Sequence, residues 1–290
     1  MSRRIPLDFS KPEDNLYAFP KLFSRLDGAP NFGVYQGVCF GQVPDQALRP
    51  LFGLLGFGVS QTLKRADGRI EVRLKELAFY TDLASGEILR TWKNPYNDGE
   101  EVEVYHIAND PQNSLWGTTM PKTQVGDHHQ VETPTEPLLL PWQVDGDDVS
   151  MTLDLILKYP NVLTPERWPR ESVSATTWAS EHWTFFAKLS DLEDRDLPSA
   201  PYRMQMERVS QWLPWMLMGQ SRTRVAPHPG FMFGRATAKK CGRGIDDMPR
   251  ILREYAEKHH PDFLSPPAVW SEPNVSSVET FARDRSPTPL

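Results

Sequence analysis

The sequence predicts a mainly β protein, a curved antiparallel sheet or a closed, lipocalin-like β-barrel with helices flanking it near the N- and C-termini. Three observations carry this expectation. Residues 69–109 form a meander of β-rich segments separated by turn residues, and its last two strands make the clearest hairpin in the chain. Residues 149–159 place Val149, Met151, Leu153, Leu155, Leu157 and Tyr159 at every second position, the period of a half-buried strand. The 27 prolines break the 290-residue chain into short segments, and 9 tryptophans supply broad apolar walls with one donor each. About eight strands suffice to enclose one small ligand.

Taken in order, residues 13–26 space Leu16, Phe19, Leu22, Phe23 and Leu26 close to one helix face, with Pro20 as a kink. Residues 32–43 alternate in period two with interspersed glycines, the pattern of a bulged or sharply bent strand. Residues 57–64, 69–80 and 87–92 read as successive strands, with turns at 66–68 and 82–86. The loop NPYNDGE at 94–100 gathers Pro, Asn, Asp and Gly before the β-forming run EVEVYHIAN. The proline-rich stretch 111–141, with Gly126, Asp127, His128 and His129 near its centre, has the length of a functional lid or a flexible crossing. Further strands are expected at 172–179, 181–189, 202–212 and 230–238. A helix over 247–259 follows, capped by Asp246 or Asp247, with Pro249 in its first turn. Residues 1–267 are expected to form one β-rich domain and 268–290 a Pro- and Ser-rich tail.

Composition excludes several functions. A net charge of -6 provides no basic field for phosphates, so neither nucleic acid nor an anionic membrane is an expected partner. Cys39 and Cys241 stand far apart without metal-ligand spacing, which fits a reducing compartment. The N-terminal residues lack the apolar run of a signal peptide, and no apolar run approaches a bilayer span, so the expected location is cytoplasmic. The pairs His128–His129 and His259–His260 lack the spacing that aims two imidazoles at one ion, and no metal is expected. No phosphate loop, nucleotide fingerprint or nucleophile elbow is present, so the expected chemistry is cofactor-independent.

The segment WKNPYNDGEEVEVYHIANDP, with WLPWMLMG, GFMFGRATAKK and DDMP further on, resembles the domain-of-unknown-function family 1838 over about residues 13–267. The stretch SRTRVAPHPG departs from that pattern, which passes more directly from Met-Gly to a Pro-Gly turn. The resemblance implies a bacterial or fungal protein associated with catabolism of plant-derived aromatic compounds. It supplies a class of ligand, phenolic molecules or dimers, and no catalytic residue.

The candidate residues follow from strand alternation. On the expected strand 101–109, Val102, Val104, His106 and Ala108 share one face; on 69–80, Val72, Leu74, Glu76, Ala78 and Tyr80 share another. If both turn inward, His106, Glu76 and Tyr80 line one cavity as base, orienting carboxylate and oxyanion donor. The alternative is that His106 and Glu76 are hydrogen-bonded core residues pinning a strand register. His182 is the second candidate acid or base. Trp92, Asn94, Tyr96 and Asn109 flank the hairpin, with turn formation the competing role for both asparagines. Arg203, Arg208 and Lys239 are candidates for a carboxylate or phenolate clamp. Trp212 and Trp215 form an aromatic cluster that serves either core or ligand. Together these features lead to an expected cofactor-independent lyase or isomerase acting on a hydrophobic aromatic molecule, for example by retro-aldol-like loss of formaldehyde. A non-catalytic carrier with the same cavity is the alternative, and a homo-oligomer is compatible with either.

Overall fold

The computed structural model describes residues 3–121, 123–125, 129–131, 136–271 and 274–290. Helix α1 (Pro12–Phe23) contains Pro20 as expected, and is followed by β1 (Asn31–Gln42), β2 (Arg49–Lys64) and β3 (Ile70–Thr81). Then come β4 (Thr91–Asn94), β5 (Glu100–Glu103), β6 (Ile107–Asn109), β7 (Ser114–Trp116), β8 (Thr123–Val125) and β9 (His129–Val131). The second half holds β10 (Trp142–Asp145), β11 (Asp148–Pro160), β12 (Thr176–Lys188), α2 (Leu189–Glu193), β13 (Arg203–Ser210), β14 (Phe231–Lys240), α3 (Arg250–His259) and α4 (Ser277–Asp284).

Ten strands form one antiparallel sheet in the order β10-β11-β12-β13-β14-β1-β2-β3-β6, with β7 also pairing β3. The expected mainly β class and large antiparallel sheet are therefore present, and the closed barrel is not. Closure requires the last strand to pair with the first, and among the described residues no ladder joins β6 to β10. The cause lies in 101–109, expected as one strand. Its first half, β5, pairs with β4 in a separate two-stranded sheet, while β6 returns to β3 through only three residue pairs. Between them, Val104–His106 leave both ladders.

Other boundaries moved for simple reasons. The stretch 49–56 joins β2 because its alternation is masked: Phe52, Leu54 and Phe57 are all buried, and glycines interrupt the pattern. The two strands expected at 172–179 and 181–189 are one, β12, paired to β11 along its whole length. The centre of the expected excursion, residues 126–128, lies outside the described residues.

Directly paired residues of an antiparallel sheet share a face. One face, here called inner, carries Tyr35, Gly37 and Cys39 of β1, Glu76, Ala78 and Tyr80 of β3, Met206 and Arg208 of β13, and Glu181 and Trp183 of β12. At one end of this face α1 packs Phe19 and Leu22 against Val149, Met151 and Phe185. At the other, Phe52, Tyr80, Trp212, Trp215 and Met216 form a second apolar cluster. The outer face is covered over β1–β3 by α3, whose Leu252 and Ala256 meet Val34, Phe57, Leu77 and Phe79.

Residues 277–284, expected within a tail, form α4. A capping box between Ser276 and Glu279 starts it, and Phe281 is buried beside Trp168 and Tyr105. Among the described residues no helix is long and apolar enough to cross a membrane.

Candidate functional site

Between its two packed ends the inner face keeps a row of polar side chains. Tyr35 donates its hydroxyl to Glu76 Oε1 at 2.8 Å, and Asn109 Nδ2 donates to Glu76 Oε2 at 2.8 Å, with Gln112 Nε2 further off at 3.4 Å. Asn109 is held in turn by the hydroxyl of Ser277 on α4 at 3.0 Å. Across the face Arg208 and Glu181 stand opposite one another on β13 and β12, with Nε 3.0 Å from Oε1. That contact is an ion pair whose angle is too oblique for a full hydrogen bond. Gly234 on β14, paired with Arg208, leaves the sheet bare beside the arginine: a Cβ there would meet only Arg208, at 3.8 Å.

These side chains lie deep in the fold yet are not sealed. Arg208 keeps 35% of its side-chain surface exposed and Glu181 16%, and Tyr35, Glu76, Trp183 and Met206 are also only partly buried. A fully packed core leaves no such surface on its central residues.

The electrostatics assign states to the groups. Burial pushes the Tyr35 hydroxyl well above the usual phenol range, and the charge of Glu76 adds to it. Burial likewise raises Tyr80, and lifts the Cys39 thiol to about 12, so Cys39 stays a neutral thiol. Burial also raises Glu181 above the ordinary carboxylate range; Arg208 opposes the rise and Glu76 adds to it. Burial acts to lower Arg208, but the charge of Glu181, with that of Glu76 further off, more than offsets this and holds it charged. The site thus combines a fixed cation, a carboxyl group shifted toward neutral pH, and a second carboxyl held by three donors.

Of the residues expected from sequence, Glu76, Tyr80, Asn109 and Arg208 meet on this face. His106 does not join them. The break at Val104–His106 sets its ring between Phe79 and Tyr80, with centroids 5.2 and 6.0 Å away, and toward His260, off the polar row. Its Nδ1 accepts the Tyr80 amide N–H at 3.2 Å and its Nε2 lies 3.0 Å from the Leu89 carbonyl, so both nitrogens are committed to backbone. These two bonds tie the ring to the backbone at the end of β3 and at Leu89.

His182 lies on the outer face. Its Nδ1 is 2.6 Å from Asp154 Oδ1 and its Nε2 3.0 Å from Ser180 Oγ. The trio has the order of a nucleophile, base and orienting acid, but Ser180 sits in the middle of a doubly paired strand whose amide groups serve the ladders. No backbone donor remains there for an oxyanion.

Arg203 and Lys239 are also on the outer face, directly opposite one another and exposed, so the expected clamp with Arg208 does not assemble. Asn94 is fully buried and spans the hairpin, accepting the Tyr96 amide N–H at 2.9 Å and donating to the Met216 carbonyl at 2.6 Å. Tyr96 lies against Trp212, and Trp92 and Trp215 pack edge-to-face beside Phe52. Asn94, Tyr96, Trp92, Trp212 and Trp215 pack together at one end of the inner face. Among the described residues no group of His, Cys, Asp and Glu side chains is arranged to hold a metal ion.

Sequence reasoning missed Tyr35, Glu181, Trp183 and Ser277. Tyr35 was visible as the one inward aromatic among the glycines of β1; Glu181 required the register that sets it opposite Arg208.

An open antiparallel sheet with a row of partly exposed polar side chains on one face defines a mainly β protein. The family model described as a protein of unknown function, DUF1838, matches residues 28–285, and the chain belongs to that family. No curated protein matches it.

Proposed function

We propose that the inner-face hollow binds a hydrophobic aromatic molecule and transfers a proton on it without a cofactor, as a lyase or isomerase. The observation that carries this reading is the partly exposed Arg208–Glu181 pair between the two apolar clusters. Glu181, raised by burial, is the proton-transfer group; a carboxyl shifted toward neutral pH suits both giving and taking a proton. Arg208 lies beside the place where an oxygen of the substrate gains negative charge. Glu76, fixed by Tyr35 and Asn109, orients a hydroxyl of the ligand. Trp183, Trp215 and Met206 provide the aromatic and thioether walls.

A retro-aldol-like cleavage suits this set. Glu181 takes the proton of a substrate hydroxymethyl group, the carbon–carbon bond breaks, and formaldehyde leaves. The bonding pair passes into a conjugated system ending on an oxygen, which becomes anionic beside Arg208. The test is incubation with phenolic dimers that carry a hydroxymethyl group, with mass spectrometry of products and tryptophan quenching for binding. Glu181→Gln should lower turnover by about 10²–10⁴-fold while quenching persists. Quenching without product from the wild type would leave the carrier reading instead.

A further inference from the structure

A hollow of about 400 Å³ lies at the tip of the β4–β5 hairpin, and none of the inner-face polar row lines it. Three guanidiniums, from Arg170, Arg222 and Arg224, line it together with two side-chain carboxylates, Asp98 and Glu100, and with Pro289 and Leu290. Its side chains thus carry one more positive than negative charge, in a chain of net charge -6.

The cations are not equivalent. Arg170 is 14% exposed and pairs through Nη2 with Glu100 at 2.7 and 2.5 Å, while its buried Nε has no partner. Arg224 is held by neutral acceptors only: Asn97 Oδ1 at 3.0 Å, the Gly219 carbonyl at 2.7 Å and the Ala226 carbonyl at 3.2 Å. Burial and the charge of Arg170 lower its pKa, with Asp98 acting weakly the other way. Arg222 is exposed on the tight turn closed by paired hydrogen bonds between Ser221 and Arg224. The stretch that departs from the family pattern, SRTRVAPHPG, supplies two of the three guanidiniums and the Ser221 and Thr223 hydroxyls.

A guanidinium fixed by neutral carbonyls beside a second guanidinium keeps its charge uncompensated, and its planar fork matches the oxygens of a carboxylate or phosphate. We infer that the Arg170–Arg222–Arg224 hollow binds a small oxyanion, a carboxylate or phosphate group, at a site separate from the inner face. Glu100 occupies part of Arg170 in the free protein and competes with that ligand.

Calorimetric titration of the full chain with inorganic phosphate and with succinate, at constant ionic strength, tests this and separates the two oxyanion sources. One-to-one binding of at least one of them below about 10 mM is expected. Arg222→Gln, at an exposed position, should weaken it by about tenfold, and Glu100→Gln should strengthen it. Circular dichroism of each variant controls for folding. Absence of binding by both anions, or equal affinity in wild type, Arg222→Gln and Glu100→Gln, would overturn the assignment.

Discussion

Tyr35 on β1 and Glu76 on β3 are joined by a 2.8 Å hydrogen bond although a whole strand, β2, runs between them. Gly56 makes this possible. A Cβ there would fall 2.6 Å from the Tyr35 hydroxyl and 2.7 Å from the Ala78 Cβ, so the tyrosine ring lies across the strand where a side chain would stand. Gly56→Ala should therefore displace Tyr35 and cost about 1–3 kcal/mol in urea unfolding, as overpacking does. A loss within a few tenths of a kcal/mol would show that the ring is free to move.

Tyr35→Phe keeps the ring and removes only the donor to Glu76. The remaining donors, Asn109 and Gln112, both reach Oε2, so Oε1 loses its partner. A loss of about 1–3 kcal/mol is expected, smaller to the extent that water in the hollow replaces the hydroxyl. Ligand quenching should weaken in the same variant if Glu76 orients the ligand, and an unchanged affinity would remove Glu76 from that role.

Arg208 and Glu181 form a pair that is only partly desolvated, so their coupling should be modest. A double-mutant cycle with Arg208→Gln and Glu181→Gln is expected to give about 1 kcal/mol, the upper end of the exposed-pair range, because a third of the arginine side chain meets solvent. A coupling of zero would mean that the two charges face the hollow independently.

His106 sets an acid limit on stability. Burial lowers its pKa from 6.5 to about 4, with the nearby His260 adding and the Leu89 carbonyl opposing. The unfolded chain takes up the proton near pH 6.5 and the folded chain only near pH 4. Stability present above pH 6.5 is therefore lost as pH falls through that window, by up to about 3 kcal/mol. Protonation also removes the only acceptor His106 offers to the Tyr80 amide. Urea midpoints at pH 7 and pH 4.5 should differ more in the wild type than in His106→Gln; parallel slopes would contradict the assignment.

What the sequence made legible were elements whose signals are local. The period-two run of β11, the Pro-bearing α1 and the turn residues of the β4–β5 hairpin each announce themselves within a dozen residues. The site was legible only by halves. Glu76, Tyr80 and Arg208 sit at positions that alternation marks as inward, but alternation carried past Val104 placed His106 on the wrong face, because a strand break resets the period without leaving a glycine or proline to mark it. The Glu181–Arg208 pairing depends on a register between distant strands, and no local pattern encodes that.

The C-terminal segment failed for another reason: its Ser, Pro and Glu content matches a solvated tail, while its helix docks through Phe281 with only Val278 and Ala282 beside it. Phe281 packs on Trp168 and Tyr105, Ser277 donates to Asn109, and Arg285 pairs with Glu103 at 2.7 Å. The exposed ion pair contributes little, and the buried ring carries most of the docking energy. Phe281→Ala should cost about 3–5 kcal/mol if α4 belongs to the cooperative fold, or release residues 277–284 alone if it docks as a separate unit. Hydrogen exchange separates the two. Protection lost only in α4 and at Asn109 would make the helix a detachable wall of the site, whereas protection lost throughout would make it part of the core, and unchanged protection would refute the docking.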